Sequence, residues 1–413
     1  MMYKFENRQA GKNKAIIYEW VGYALLIIGL IVFVIFGGKT LYEGFNPLNK
    51  TDLDFSSKYG DFIGGTIGTL FAFAGTIFII ITFKEQIQEN KRKQFEEIFY
   101  EIIRIHRENV SQFEYTKFEG TKNHLYQNRL VIKVILSEFE DAYREVSKYL
   151  KYVDVVRYFN DDYRLALEAI KDDKNIRASI KELFIVDMCY LITYFGVGEE
   201  GSKVIKGRYK SHVKAEFINK LLFYIKFKPK ESNLARFKIW KKIEEIKAKD
   251  LHNLICDVYE KTKGRKELEN YFAQSLFDSW NARPKYSKYY GGHQHRLGHY
   301  YRHLYQAFKI LNDTPLIQEE IKYDYGKLLR AQLSTYEQVL LFVNSVSSLG
   351  FKWEYTKDSN SYNDLITNYQ LIKNVPGERL QSLQYKSFYP KVKYEFDEIK
   401  VMQLTKPTRT AAG

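Results

Sequence analysis

Two long runs near the amino terminus carry no charge, whereas the rest of the chain mixes apolar and polar residues at helical spacing. The runs cover residues 20–38 and 62–83. About 20 uncharged, mostly apolar residues form a helix that crosses the hydrocarbon core of a bilayer. The pattern therefore predicts two transmembrane helices. A pair of buried core helices is the alternative, but neither run has a polar face.

Positive charges flank the two runs on their outer sides. They are Lys4, Arg8, Lys12 and Lys14 before the first run, and Lys84, Lys91, Arg92 and Lys93 after the second. The intervening loop holds three, Lys39, Lys50 and Lys58. Because Lys and Arg favour the cytoplasmic side, we expect a multi-pass plasma-membrane protein with both termini in the cytoplasm.

Beyond the second run, apolar residues recur every three or four positions, which is typical of helices. We therefore predict an all-α fold with four parts: a basic amino-terminal segment 1–15, a two-helix membrane anchor 16–83, an α-helical cytoplasmic domain 84–400 and a flexible tail 401–413. Predicted helices in this domain include 129–149, 233–261, 296–311 and 318–346, and residues 152–158 are a candidate short strand.

Small residues recur at every fourth position in the second run. They are Gly60, Gly64, Gly68 and Ala72. Such spacing lets two helix backbones approach closely within a bilayer. The ladder either packs against Gly22 and Gly29 of the first run or joins copies of the chain into a homo-oligomer, and the first interpretation is favoured.

Charge is unevenly distributed along the chain, whose net charge is +14. Residues 203–249 contain 15 Lys or Arg against four acidic residues, a net charge of +11, and are densest at Lys226, Lys228 and Lys230. Such a block favours an anionic partner, either inner-leaflet lipid or nucleic acid. A solvated helix face is the alternative.

A second basic segment, residues 279–312, contains no acidic residue and interleaves Lys and Arg with aromatic residues. This mixture is typical of grooves that bind single-stranded nucleic acid, and we include Arg302 among the residues expected to hold an anionic partner. Arg296, His299 and His303 of this segment are candidate catalytic residues of an endoribonuclease. Histidine would transfer protons near neutral pH, and arginine would stabilise the charge on phosphorus.

Metal and cofactor sites are not expected. The histidines lack a nearby carboxylate ligand, and the glycine pattern at 196–201 follows a predicted helix rather than the strand that a dinucleotide site requires. The predicted helix 318–346 is strongly apolar, yet it carries Arg330, Ser334 and Glu337 on one face. We interpret these three as a polar network that bonds internally or to the helix carrying His299 and His303.

Several blocks together resemble one family. They are Tyr59-Gly-Asp-Phe-Ile-Gly-Gly-Thr-Ile-Gly68, Lys84-Glu-Gln86, Phe95-Glu-Glu-Ile-Phe99, His106-Arg-Glu-Asn109, Gly298-His-Tyr-Tyr-Arg-His-Leu-Tyr305, Leu329-Arg-Ala-Gln-Leu-Ser334 with Glu337, and Leu341-Phe-Val-Asn344. As a set they resemble the AbiC-like group of bacterial phage abortive infection proteins. The resemblance implies a defence protein of the inner membrane that stops an infected cell from supporting phage replication. It implies no catalytic chemistry.

Three functions remain open. The leading hypothesis is a non-enzymatic effector whose cytoplasmic domain senses a phage-derived trigger and whose hairpin acts on the lipid bilayer. The first alternative is a membrane-tethered ribonuclease that uses the arginine–histidine pair. The second is a non-catalytic anchored scaffold that recruits a defence partner through the basic block.

Overall fold

The computed structural model describes residues 2–42, 53–282, 286–315, 317–358 and 361–398. The predicted tail 401–413 lies outside them. The chain divides into two compact units, Met1–Ile98 and Phe99–Gly413.

The amino-terminal unit is helical. Helix α1 covers Met2–Tyr42, α2 covers Leu53–Phe62, a π-helical turn covers Ile63–Ile67, and α3 covers Gly68–Ser111. Two stretches, Ile17–Lys39 and Gly60–Ser111, are long and apolar enough to cross a membrane, and only 11% of each apolar window is buried. Unlike the core helices of the soluble alternative, these helices expose large apolar side chains. The two predicted spans are therefore present as candidate membrane helices.

A methyl group at Gly60 or Gly64 would meet no atom within 4 Å, so these ladder glycines do not lie against Gly22 or Gly29 of the first span. A methyl group at Gly22 would lie 2.9 Å from the ring of Phe78, and one at Gly29 would lie 2.8 Å from the ring of Phe71. The first span's glycines thus receive phenylalanine rings. The ladder residues Gly60, Gly64, Gly68 and Ala72 are exposed. The favoured interpretation, in which the ladder packs against Gly22 and Gly29, was wrong. The rings of Phe78 and Phe71, not the small residues, contact those two glycines.

The second unit consists of helices and short hairpins. Its later helices are α4 Arg129–Tyr149, α5 Asp161–Lys174, α6 Ile180–Phe195, α7 Glu199–Tyr209, α8 Ala215–Lys226, α9 Leu234–Glu245, α10 Ala248–Thr262, α11 Tyr271–Ala282, α12 Gln294–Asp313, α13 Glu319–Arg330, α14 Thr335–Val346, α15 Leu365–Asn368 and α16 Tyr385–Phe388. Two 3₁₀ turns cover Val155–Tyr158 and Phe351–Trp353. The antiparallel strand pairs are β1 Glu114–Glu119 with β2 Lys122–Gln127, β3 Lys357–Asp358 with β4 Ser361–Tyr362, and β5 Arg379–Leu380 with β6 Leu383–Gln384. The predicted all-α class is confirmed.

Three helices form the centre of this unit. Helices α4, α6 and α14 contact one another. Every residue of α6 from Leu183 to Thr193 is buried, as is every residue of α14 from Glu337 to Val346. Helix α4 is amphipathic and turns one apolar face inward, which is the usual pattern for a helix at the boundary of a core. The polar groups on these buried helices therefore need partners within the protein.

Two predicted helices are interrupted. The predicted helix 129–149 is correct. The predicted helix 233–261 is two helices, α9 and α10, separated by Ile246 and Lys247, whose backbones are extended. The predicted helix 318–346 is also two helices: α13 ends at Arg330, and α14 begins after Ser334, whose side chain caps it. The predicted strand 152–158 is wrong, since its second half is a 3₁₀ turn.

Candidate functional site

The start of α12 is fixed by a close crossing of two backbones. Gly292 precedes the helix with φ +88°, and Gly196 follows α6 with φ +73°. A methyl group at Gly292 would lie 2.6 Å from the carbonyl carbon of Phe195. The amide of His293 donates to the carbonyl of Tyr194 over 2.8 Å. Only glycine permits both the positive φ and this approach. The glycine pattern at 196–201 thus divides into a short connection, 196–198, and the first residues of α7, and its Gly196 lies against the start of α12.

A cavity of about 420 Å³ opens beside this crossing. It is lined by Tyr194, Phe195, Gly291, Gly292, Gln294, His295, Gly298, His299 and Arg302. We call it the α12 cavity. No carboxylate is among these residues. The predicted residues His299 and Arg302 are exposed, and neither makes a hydrogen bond or ion pair with another described residue. The cavity therefore presents unpaired donors and cationic groups.

A second cavity, also of about 420 Å³, is lined in part by the same helical turns. Its lining is Asn109, Gln112, Phe113, Glu114, His295, Arg296, His299 and Tyr300. His295 and His299 thus border both cavities. The side-chain nitrogen of Asn109 is buried without a hydrogen-bond partner among the described residues. An unsatisfied N–H donor and cationic side chains both favour a ligand that is rich in hydrogen-bond acceptors.

Arg296 is held between β1 and a buried histidine. Its Nε donates to the carbonyl oxygen of Glu114 over 2.8 Å, and its terminal nitrogen lies 3.2 Å from Nδ1 of His293. Because arginine only donates, Nδ1 accepts and Nε2 carries the ring proton. Nε2 then donates to Glu138 over 2.9 Å. Tyr115 donates to the other oxygen of Glu138 over 2.8 Å. Arg296 is therefore oriented by a buried chain of polar groups.

Arg296 and His303 are not brought into contact. Arg296 turns toward β1, whereas His303 is exposed two helical turns further on and makes no hydrogen bond with another described residue. Burial lowers the pKa of Arg296. The ribonuclease role of this pair, and of His299, stays a prediction. Among the described residues, no group of three His, Cys, Asp or Glu side chains is placed to hold a metal ion.

Lys228 does not belong to an exposed basic surface. It is 5% exposed, and its Nζ lies 2.6 Å from Glu145 and 3.4 Å from Asp141 of α4. Tyr290 donates to Glu145 over 2.8 Å, and Tyr289 donates to Asp141 over 2.6 Å. Burial is the largest influence on Glu145 and raises its pKa, against the opposing effect of Lys228. We call these five residues the Lys228 cluster. Its lysine is thus already paired with two carboxylates of the same domain.

The other two lysines of the predicted anion-binding group differ. Lys230 is exposed. Lys226 is half-buried, and its pKa is lowered first by burial and then by Lys206. The pKa of Lys288 is lowered to about 7, first by burial and then by Lys226 and Arg236. The two basic segments of the sequence thus meet here, and anion binding by Lys226 and Lys230 stays a prediction.

The three residues of the predicted polar network have different bonding partners. Ser334 caps α14, accepting from the amide of Glu337 over 3.3 Å, and the amide of Ser334 donates to the Glu337 carboxylate over 2.7 Å. Tyr300 of α12 donates to the same carboxylate over 3.1 Å. Arg330 instead donates to the carbonyls of Tyr369 and Gln370. Because the helix breaks between α13 and α14, Arg330 does not lie on one helix face with Ser334 and Glu337, as the sequence predicted.

Four residues of the site were not among the candidate site residues of the sequence analysis. They are Asn109, Tyr115, Glu138 and His293. The strands that carry Tyr115 alternate outward and inward residues on both sides of Gly120, whose φ is +63°. This alternation around a glycine is a hairpin signal. No comparable signal marks Glu138, which becomes notable only as a carboxylate on the buried side of α4.

Residues 292–380 match the family model described as "Putative phage abortive infection protein". The matched segment begins at the glycine before α12 and includes α13, α14 and α15. Comparisons with curated proteins and with solved structures give no match. The family match supports the AbiC-like assignment that the sequence blocks predicted.

Proposed function

We propose that this AbiC-like chain is a membrane-anchored bacterial defence protein that aborts phage infection. The observation that carries the proposal is the family match over 292–380. That segment contains α12, whose first turns line two cavities. In this proposal the helical domain receives an infection-derived cue in the cytoplasm.

The membrane is the proposed target. The two candidate spans expose large apolar side chains, including Trp20, Ile35 and Ile79. Lipid supplies no hydrophobic drive for helix association, so close backbone contact through small residues is one of the forces that remain. The exposed ladder of Gly60, Gly64, Gly68 and Ala72 suits contact between copies of the chain. We propose a homo-oligomer that reorganises on activation and perturbs the inner membrane, with both termini in the cytoplasm.

Gly64→Leu tests the membrane mechanism. A leucine in the ladder should abolish protection, measured as the efficiency of phage plating on cells that express the protein. Gly38→Leu is the matched control, because Gly38 is also exposed and a methyl group there would meet no atom within 4 Å. Wild-type protection by Gly64→Leu, at equal protein abundance, would contradict the proposal.

The same cells separate the two alternatives. A voltage-sensitive dye should report early depolarisation while total RNA stays intact. Fragmented RNA in polarised cells would instead favour the ribonuclease, and His303→Ala should then lose protection. Loss of protection on charge reversal of Lys226 and Lys230, with neither depolarisation nor RNA cleavage, would favour the anchored scaffold.

A further inference from the structure

We infer that the α12 cavity binds the phosphate group of a small molecule of about nucleotide size. The inference rests on the proposed function, for which it names the chemical class of the cue. The cavity volume is about 420 Å³, which falls within the range of about 300–1,000 Å³ typical of small-ligand sites. No carboxylate lines it, so an anion entering it meets no like charge from the lining.

The cavity offers donors that the fold leaves unused. Gly291 and Gly292 line the cavity, and among the described residues their amides donate to no backbone carbonyl. The hydroxyl of Tyr194 makes no hydrogen bond with another described residue. The guanidinium of Arg302 has no ion-pair partner among the described residues. Backbone amides that precede a helix, together with an arginine, form the usual environment of a bound phosphate. His295 and His299 add two imidazoles.

Positive charge extends behind the lining. Burial raises the pKa of the Tyr194 hydroxyl, and Arg302 and Arg208 both oppose that rise. The pKa of Lys352 is lowered first by burial and then by Arg302. Arg208 thus lies near Tyr194, and Lys352 lies near Arg302. An anion bound there would relieve their mutual repulsion.

The walls of the α12 cavity are partly aromatic. The Tyr194 and Phe195 rings pack edge to face with centroids 4.8 Å apart. A methyl group at Gly298 would lie 3.0 Å from the Tyr194 hydroxyl, so the tyrosine lies directly against α12. An aromatic surface beside a phosphate site suits a nucleobase, because every base can stack on it. One compact opening favours a small molecule over an RNA strand.

Binding of ATP to the purified full chain in nanodiscs of neutral lipid tests the inference. We expect saturable binding that inorganic phosphate weakens and that adenosine does not reproduce. Arg302→Ala should reduce ATP affinity at least tenfold, and Arg302→Lys should restore part of it. Arg379→Ala is the matched control and should bind as the wild type does, because Arg379 is exposed on β5 and lines neither cavity beside α12.

Each remaining outcome is decisive. Absence of ATP and phosphate binding, or ATP binding that survives Arg302→Ala unchanged, would overturn the inference. Binding of single-stranded RNA without ATP would also overturn it, in favour of the nucleic-acid alternative. Anionic phosphatidylglycerol in the nanodisc that displaces ATP would identify lipid headgroups as the source of the phosphate. Because no phage is present, failure here leaves the defence role standing. If cells that express the wild-type protein were not protected in the phage-plating assay, the defence role alone would be overturned.

Discussion

The two basic regions of the sequence, residues 203–249 and 279–312, differ in how their cations are paired in the fold. In the block 203–249, Lys228 is buried against Glu145, which lies 83 residues earlier. Lys220 in the same block contacts Glu260 over 2.8 Å. At the start of α12, by contrast, Arg302 is exposed and unpaired among the described residues. Among the described residues, the region with the larger net charge thus also has more ion pairs. Distant carboxylates, which a local count of charge omits, decide which cations remain free.

This difference divides the residues by role. A buried ion pair is costly to break, because removal of one partner leaves the other charge without compensation. An exposed, unpaired cation costs little to remove, since surface substitutions usually change stability by about 0.5 kcal/mol or less. Stability should therefore depend on the Lys228 cluster, and ligand binding on the α12 cavity. Lys228→Ala and Arg302→Ala test that division directly, and Glu337→Ala and Lys288→Met supply effects of intermediate size.

The largest effect is expected from Lys228→Ala. It would leave the buried carboxylate of Glu145 without its cation, so we expect a loss of about 3–5 kcal/mol in unfolding free energy. Urea unfolding of the nanodisc-embedded chain, followed by tryptophan fluorescence, measures it. The control is Lys230→Ala, two residues away and exposed, which should match the wild type. Equal losses in both variants would remove the distinction between buried and exposed lysines.

Glu337→Ala should follow, with a loss of about 2–3 kcal/mol. It removes the acceptor of both the Ser334 amide and the Tyr300 hydroxyl. Glu182→Ala is the matched control because Ser179 and Glu182 form the same capping box on α6. Its cost should be about 1 kcal/mol, the usual value of a cap. A cost for Glu337→Ala no larger than that of the control would show that the bond to α12 contributes nothing.

A smaller, pH-dependent effect is expected from Lys288. Its pKa is about 7 in the folded chain against 10.5 for an ordinary lysine. Between these values the unfolded chain binds more protons, so stability should rise with pH from about 7 upward, and the penalty is fully present below that. Lys288→Met should remove this rise, a change of about a few degrees in Tm. Lys249→Met, at an exposed lysine, should retain it. Thermal unfolding at pH 6.5 and 9 decides the matter.

The smallest effect on stability is expected from Arg302→Ala. Its side chain is exposed and unpaired, so the unfolding free energy should change by less than about 0.5 kcal/mol. The same variant is expected to lose ligand binding. A loss of stability as large as that of Lys228→Ala would mean that Arg302 supports the fold, and the two basic regions would no longer differ.

The sequence predicted local features well and long-range pairing poorly. Helix 129–149 was predicted correctly because its amphipathic pattern is strong and continuous. The break before α14 was missed, because apolar residues continue at helical spacing through a turn that only the Ser334 cap reveals. His299 and Arg302 were singled out from composition alone. Glu138 was not, since its importance depends on contacts with Tyr115 and His293, which lie far away in the sequence.

The backbone crossing of Gly196 and Gly292 also determines how a movement at α12 would spread. Side chains between two backbone segments can usually accommodate a small displacement of one segment, because they can change rotamer. Here a peptide group lies directly against another peptide group, with no side chain between them. A push on the start of α12 must therefore be passed to the end of α6, the helix that is buried along most of its length. The two glycines act as a rigid joint between the surface of the domain and its centre.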